Sequence, residues 1–223
     1  MRFPYSPLHL IVFSALLIVL VAVVQVGAIT IAFGKLGLSP DAAFILLFGS
    51  LVGSAINLPL FYVDARPIAE IPAITQKARG LLRIPEMRRA GKTLVAVNVG
   101  GCIIPLLFSG ILLLRTSVTL PTVVLGVAAV TLISRFASRP IAGHGIGIPI
   151  LIAPITAAIV ALSLDSQNSA ALAYISGTTG VLLGADILRL GDIRRLGVPI
   201  ASVGGAGTFD GIFLTGILAA LLA

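Results

Sequence analysis

Two aspartates lie in strongly apolar segments near the end of the sequence. Asp186 closes the apolar stretch 170–188, and Asp210 lies within the last residues, "GGAGTFDGIFLTGILAALLA". An ionised carboxylate is costly among apolar side chains, so a residue of this kind is by default a functional one. Two carboxylates that share a site cannot both ionise easily: one keeps its proton and acts as an acid, while the other activates water. If Asp186 and Asp210 meet, they form an acid–base pair suited to hydrolysis.

The composition is that of a membrane protein. Of the 223 residues, 58% are hydrophobic and only 10% are charged, whereas soluble domains carry about 25% charged residues. The mean hydropathy is +1.15, and several apolar stretches reach the ~20 residues that cross a bilayer as a helix. We attribute the net charge of +7 to cytoplasmic loops and not to nucleic-acid binding. The composition predicts an all-α polytopic transmembrane helix bundle whose partner is the lipid bilayer.

The basic residues predict a topology. A single transmembrane domain over 1–223 is expected to hold seven spans, at about 8–33, 42–63, 93–114, 119–134, 146–164, 170–188 and 198–222. Only Lys35 and Arg115 then fall on one side, and the other 13 of the 15 Lys and Arg residues fall on the opposite side. Because cytoplasmic loops carry the excess of Lys and Arg, we expect an inner-membrane protein with a cytoplasmic N-terminus, a cytoplasmic loop at 64–92 and an external C-terminus.

Polar residues inside the spans are expected to point into the bundle. Asn57, Asn98 and Asp186 lie in the inner third of the predicted bilayer. Thr179 precedes Asp186 by seven residues, which places both on one face of a helix. These residues either join helices by hydrogen bonds or line a binding site. A ridge of small residues at a spacing of four is predicted to serve helix packing alone: Ser176, Gly180 and Gly184.

Glycines interrupt the last span. The segment "SVGGAGT" at 202–208 weakens a helix, since each glycine costs about 1 kcal/mol relative to alanine. Thr208 is a good N-cap, and Asp210 would then lie in the first helical turn, where the helix dipole favours a carboxylate. We expect a broken span with a new helix from about 208, because broken helices line cavities and transporter binding sites. Four residues of this segment are candidates for the site: Asp210, Thr208, Gly205 and Gly207.

Two resemblances to known families follow from these segments. "VNVGG" at 97–101 together with "GGAGTFDGIFLTG" at 204–216 resembles a family of small prokaryotic polytopic membrane proteins known only as a domain of unknown function. "GAGTFD" at 205–210, after Asp186 at the end of the preceding span, is similar to the paired aspartates of presenilin and signal-peptide-peptidase type intramembrane proteases. Those enzymes carry Gly-x-Gly-Asp, and here two residues are inserted before Asp210. The second resemblance implies that Asp186 and Asp210 are catalytic.

Three functions would use these residues differently. An intramembrane aspartyl protease acting on a membrane peptide needs both Asp186 and Asp210. A proton- or ion-coupled transporter of a small solute needs Asp210 as the protonatable group and can dispense with Asp186; Asn57, Asn98 and Thr179 would then be neutral ligands. A non-catalytic scaffold uses Asp210 only as a helix cap, so Asp210→Asn would mainly lower stability. No cofactor and no metal site are predicted, because no ligand pattern for either is present.

Overall fold

The computed structural model describes residues 7–64, 92–141, 143, 145–205 and 211–223, and most of this part of the chain is helical. The α-helices are α1 (Pro7–Lys35), α2 (Pro40–Gly53), α3 (Ile104–Arg115), α4 (Leu120–Ala137), α5 (Ile152–Leu164), α6 (Ser169–Val181) and α7 (Gly211–Leu222). The strands are β1 (Asn57–Asp64), β2 (Lys92–Asn98), β3 (Arg139–Ile141), β4 (Gly145–Gly147) and β5 (Ile200–Val203).

Two of the α-helices are continuous with wider or tighter helical turns. A first π-helical segment, Val99–Ile103, leads from β2 into α3. A second π-helical segment, Leu182–Asp186, extends α6, and the 3₁₀ helix Ile187–Arg195 follows it. Single π-helical turns occur frequently at functional sites. Asn98 and Asp186 thus each lie at one end of such a segment.

Three helical stretches are long and apolar enough to cross a membrane: Leu17–Lys35, Leu120–Ala137 and Ser169–Arg195. The bundle is centred on α6, where Leu172 and Tyr174 are fully buried, with α3, α4, α5 and α7 packed around it. The outer helices carry exposed apolar side chains, and Leu114 and Phe136 are 88% and 76% exposed. An apolar outer surface is compatible with a lipid environment, because lipid tails solvate such side chains.

The packing of α4 against α6 confirms the predicted role of the small-residue ridge. Each ridge residue contacts the α4 residue fifty positions earlier, so the two helices run parallel and in register. The closest contacts leave no room for a side chain, since a Cβ at Gly184 would lie 2.4 Å from the carbonyl oxygen of Thr131. The contacting pairs are Ser176 with Gly126, Gly180 with Val130, and Gly184 with Ser134.

Three contacts at α7 orient it relative to α6 and α1. Gly216 packs against Tyr174 and Thr178 of α6, and Ser169, at the beginning of α6, donates a hydrogen bond of 3.0 Å to the carbonyl oxygen of Ala223. Therefore α6 and α7 are antiparallel. Lys35 Nζ at the end of α1 donates to the carbonyl oxygen of Leu221, which places the carboxyl ends of α1 and α7 at the same level.

The all-α prediction is wrong for parts of four predicted spans, which contain strands. A three-stranded sheet has the order β1-β2-β5, with β1 antiparallel and β5 parallel to β2, and β3 pairs with β4. The sequences "NLPLFYVD" and "KTLVAVN" are rich in β-branched and aromatic residues, which fit a pleated surface. Pro59 is disfavoured inside a helix but tolerated on an edge strand such as β1. Hydropathy alone does not separate such strands from helices.

Candidate functional site

The sheet brings the two predicted asparagines together. Asn57 and Asn98 are direct partners in the antiparallel register of β1 and β2. Asn98 Nδ2 donates hydrogen bonds to Asn57 Oδ1, at 3.1 Å, and to the carbonyl oxygen of Ser54, at 2.7 Å. Ser202 Oγ on β5 donates to the same Asn57 Oδ1, at 2.5 Å. The three strands of this sheet are therefore joined through one amide oxygen.

Asn98 also fixes the beginning of the first π-helical segment. Its side-chain Oδ1 accepts a hydrogen bond of 2.7 Å from the amide of Gly101, so the side chain acts as an N-cap. Asn98 is 1% exposed, and a buried amide must find partners on both its oxygen and its nitrogen. With three hydrogen bonds formed, Asn98 serves chiefly to hold β1, β2 and the π-helical segment together.

Asp186 and the glycine-rich segment are joined directly. Asp186 lies at the end of the second π-helical segment, and its Oδ2 accepts a hydrogen bond of 2.7 Å from the amide of Gly204. The carboxylate is half-buried, and within the described chain this amide is its hydrogen-bond donor. Charge-assisted hydrogen bonds of this kind are short and strong. The end of the second π-helical segment is thus tied to the residue that follows β5.

Only glycine fits at position 204. Its φ is +85°, a left-handed conformation that costs glycine nothing. A Cβ there would lie 2.6 Å from the Cβ of Cys102. Gly204 therefore lies between the two π-helical segments: its amide faces Asp186 in one, and its Cα packs on Cys102 in the other. This arrangement is the centre of the candidate site.

The predicted break in the last span is present, with a difference in what precedes it. The chain before the glycines is the strand β5 and not a helix, and α7 begins at Gly211 among the described residues. Gly205, two residues after the end of β5, has a φ of +97°, and its amide donates to the carbonyl oxygen of Ser202. Three of the predicted site residues, Asp210, Thr208 and Gly207, lie outside the described residues.

One predicted site residue, Thr179, loses the basis of its alignment with Asp186, and the structure adds two residues to the site. Thr179 is half-buried on α6, and the π-helical turns after Val181 change the angular spacing on which its alignment with Asp186 rested. Ser202 and Arg189 were missed by sequence reasoning. Ser202 carries no signal without knowledge of the sheet, and in the sequence Arg189 resembles every other basic residue of the predicted loops.

Within the described part of the chain, no three His, Cys, Asp or Glu side chains come together as a possible metal site. Arg189 forms an ion pair of 3.0 Å with Asp192 in the 3₁₀ helix. The chemistry that the described residues offer is therefore that of one half-buried carboxylate, held by a backbone amide, beside a cluster of neutral amides and hydroxyls.

Fold and site together define a class: a mostly helical protein with an apolar outer surface and a polar centre where interrupted helices meet a small sheet. The chain belongs to the DUF1614 family, a family of proteins of unknown function, which it matches over residues 51–222. The match contains Asn57, Asn98, Asp186 and Gly204, and it confirms the resemblance to an uncharacterised family. No curated protein and no solved structure matches the chain significantly.

Proposed function

We propose that this protein is an intramembrane aspartyl protease that uses Asp186 and Asp210. The observation that carries the proposal is the hydrogen bond between Asp186 Oδ2 and the amide of Gly204. It ties the first aspartate to the segment that leads, six residues later, to the second. The transporter and scaffold alternatives do not require Asp186, so a direct bond from Asp186 to this segment favours the protease over them.

The packing of α6 and α7 supports a common depth for the two aspartates. Gly216 packs against Thr178, and the helices are antiparallel. Asp186 follows Thr178 by eight residues, or about 12 Å at 1.5 Å per residue. Gly211 precedes Gly216 by five residues, or about 8 Å on the same basis. The levels of Asp186 and Gly211 therefore differ by about 4 Å, less than one helical turn of 5.4 Å. Asp210 directly precedes Gly211 in the sequence.

The chemistry follows from a shared proton. One carboxyl donates its proton to the oxygen of the scissile carbonyl, while the other carboxylate takes a proton from a water molecule whose oxygen attacks the carbonyl carbon. The resulting diol collapses as the C–N bond breaks and the amine nitrogen takes up a proton. The pair titrates jointly, so acid and base are not assigned to individual residues. The amide of Gly204 would orient the Asp186 carboxylate for this exchange.

In the proposed topology, the protein crosses the inner membrane seven times, with the N-terminus in the cytoplasm and the C-terminus outside. The helix directions support this topology, because alternating spans require α1 to run parallel to α7, α4 parallel to α6, and α6 antiparallel to α7. The contact of Lys35 with Leu221 agrees with the first requirement and the small-residue ridge with the second. The hydrogen bond from Ser169 to the carbonyl oxygen of Ala223 agrees with the third. Under this topology Asp186 lies towards the cytoplasmic side of the membrane.

The test is cleavage of a membrane peptide by the purified protein in liposomes. A quenched fluorescent peptide with one apolar helical span serves as the probe, and Asp186→Asn, Asp210→Asn and the control Asp41→Asn are compared. Asp41 is an exposed residue in the first turn of α2. A protease loses cleavage by about 10³-fold or more in both site variants and keeps it in the control. No cleavage by the wild-type protein, or cleavage that depends on neither aspartate, would refute the protease. Cleavage lost in Asp210→Asn alone would refute the pairing of Asp210 with Asp186.

A further inference from the structure

The guanidinium of Arg189 forms hydrogen bonds with the carboxyl end of α4. Nε donates a hydrogen bond of 2.6 Å to Ser138 Oγ, and Nη2 donates to the carbonyl oxygens of Arg135, at 2.8 Å, and Ser138. Nη1 donates to Asp192 Oδ2. The Arg189 side chain is only 11% exposed. One side chain of the 3₁₀ helix thus satisfies carbonyl groups that the end of α4 leaves without helical partners.

These contacts are specific to arginine. The guanidinium presents donors in a rigid plane and bonds several acceptors at once, whereas a lysine ammonium is a point charge on a flexible stem. A cation at a helix carboxyl end is also favoured by the helix dipole. By contrast, Arg194 in the same 3₁₀ helix is exposed. In the sequence both are basic residues of one predicted loop. In the structure Arg189 is held by hydrogen bonds, whereas Arg194 is exposed.

Arg189 is placed to control Asp186. It follows Asp186 by three residues. The small-residue ridge aligns α6 with α4 as far as Gly184, and the hydrogen bonds of Arg189 to the end of α4 continue that alignment. The ridge fixes the level of α6 on α4, and Arg189 fastens the first turn after Asp186 to the same helix. Asp186 is therefore held on both sides, by close packing before it and by hydrogen bonds after it.

We propose that Arg189 is the positioning residue of the Asp186 site. By fastening the 3₁₀ helix to the end of α4, it holds the Asp186 carboxylate against the amide of Gly204. The consequence for catalysis rests on the proposed function, but the mechanical link does not. The link passes from Arg189 through the backbone to Asp186, from Asp186 to Gly204, and from Gly204 to Cys102.

Cys102 makes this link measurable. It is the single cysteine of the chain, it is 7% exposed, and Gly204 packs directly on it. When the hydrogen bond between Asp186 and Gly204 is lost, Gly204 moves away from Cys102 and the thiol becomes accessible. The rate of alkylation by a small maleimide in detergent micelles therefore reports the Asp186–Gly204 contact, without any assay of activity.

The experiment compares Arg189→Gln, Arg189→Lys and the milder Ser138→Ala with the charge-matched control Arg194→Gln. We expect both Arg189 variants to raise the alkylation rate by about tenfold or more, as local opening does when it loses a stabilising contact. Ser138→Ala should give a smaller rise, and Arg194→Gln none. Asp186→Ala should give the same rise as Arg189→Gln, and the double variant no more than either. Equal rates in Arg189→Gln and Arg194→Gln, or additive effects in the double variant, would overturn the proposal.

A second readout separates this proposal from the proposed function. If the wild-type protein cleaves the fluorescent peptide, Arg189→Lys should lower kcat by about 10²-fold with little change in KM, since misplaced groups cost turnover more than binding. An unchanged kcat in Arg189→Lys would overturn the positioning role. If the wild-type protein does not cleave the peptide, the proposed function fails, and the alkylation rates alone decide whether Arg189 holds Asp186.

Discussion

The amide of Gly204 and the carboxylate of Asp186 lie 2.7 Å apart, although eighteen residues separate them in the sequence. The chain between them forms the 3₁₀ helix and β5, and it returns to the end of α6. This return is possible because β5 runs parallel to β2 and places its last residue, Val203, beside Val97. The sheet therefore determines where the glycine-rich segment begins relative to the half-buried carboxylate of Asp186.

Gly204→Ala should destabilise the protein more than a glycine replacement at a roomy site. The left-handed backbone costs a residue with a side chain about 1–2 kcal/mol, and the contact with Cys102 adds an overpacking penalty of about 1–3 kcal/mol. The control is Gly37→Ala. Gly37 also has a positive φ, +71°, but a Cβ added there would have nothing within 4 Å. The free energy of unfolding, measured by SDS titration of helicity, should fall further for Gly204→Ala. Equal losses would show that crowding at Cys102 is unimportant.

Asn98→Ala should cost more stability than Asn57→Ala. Removing the buried Asn98 amide leaves the carbonyl oxygen of Ser54 and the amide of Gly101 without their partner, at about 1–3 kcal/mol. Asn57 is half-buried, so water can replace part of what its side chain provides. Thermal unfolding in detergent measures the difference. A smaller loss for Asn98→Ala than for Asn57→Ala would contradict the structural role assigned to Asn98.

Part of the site was predictable because its signals are local. Small residues at a spacing of four predict close helix packing, and the ridge ending at Gly184 meets α4 as expected. Glycines at 204 and 205 predict an interruption, and the described chain has one. Asn57 and Asn98 were expected at one depth, and they do meet. The reason differs, however, since they are partners across two strands and not neighbours on two helices.

The rest depends on pairings that a single sequence does not show. An apolar run with no clear period fits a buried strand and a buried helix equally well, so hydropathy predicts helical spans where β1, β2 and β5 lie. Arg189 carries the same signal as any loop arginine. Its partners, Arg135 and Ser138, lie 54 and 51 residues away, and only the parallel register of α4 and α6 brings them to it.

Gly184→Ala should disrupt the register that holds Asp186. The new methyl group would press on the backbone of α4, where a Cβ would lie 2.4 Å from the Thr131 carbonyl oxygen, so the two helices must move apart. We expect a loss of about 1–3 kcal/mol in the free energy of unfolding. Gly110→Ala on α3 is the matched control, because a Cβ there meets nothing within 4 Å and alanine is the better helix former. If Gly184→Ala left the free energy of unfolding unchanged, the ridge would tolerate a wider spacing between α4 and α6.

The loop between α5 and α6 should respond to acid through Asp165. The Asn168 side chain, the Asn168 amide and the Gln167 amide donate hydrogen bonds to this carboxylate and hold its pKa below the usual 3.8. Because the folded-state pKa is lowered, these bonds stabilise the loop above pH 3.8, and their contribution is lost as the pH falls through the lowered value. Asn168→Ala removes the largest cause, so the Asp165 pKa should rise towards 3.8.

Carbon-13 NMR of the Asp165 side-chain carboxyl, recorded during an acid titration, measures that shift directly. Ser117→Ala is the control, since Ser117 contacts Asn168 and leaves the bond from Asn168 Nδ2 to Asp165 Oδ2 in place. The control should titrate like the wild-type protein, and Asn168→Ala should titrate at a higher pH. If the wild-type protein and both variants titrate with the same midpoint, the hydrogen bonds of Asn168 do not lower the Asp165 pKa. The acid response of this loop would then have to come from other groups.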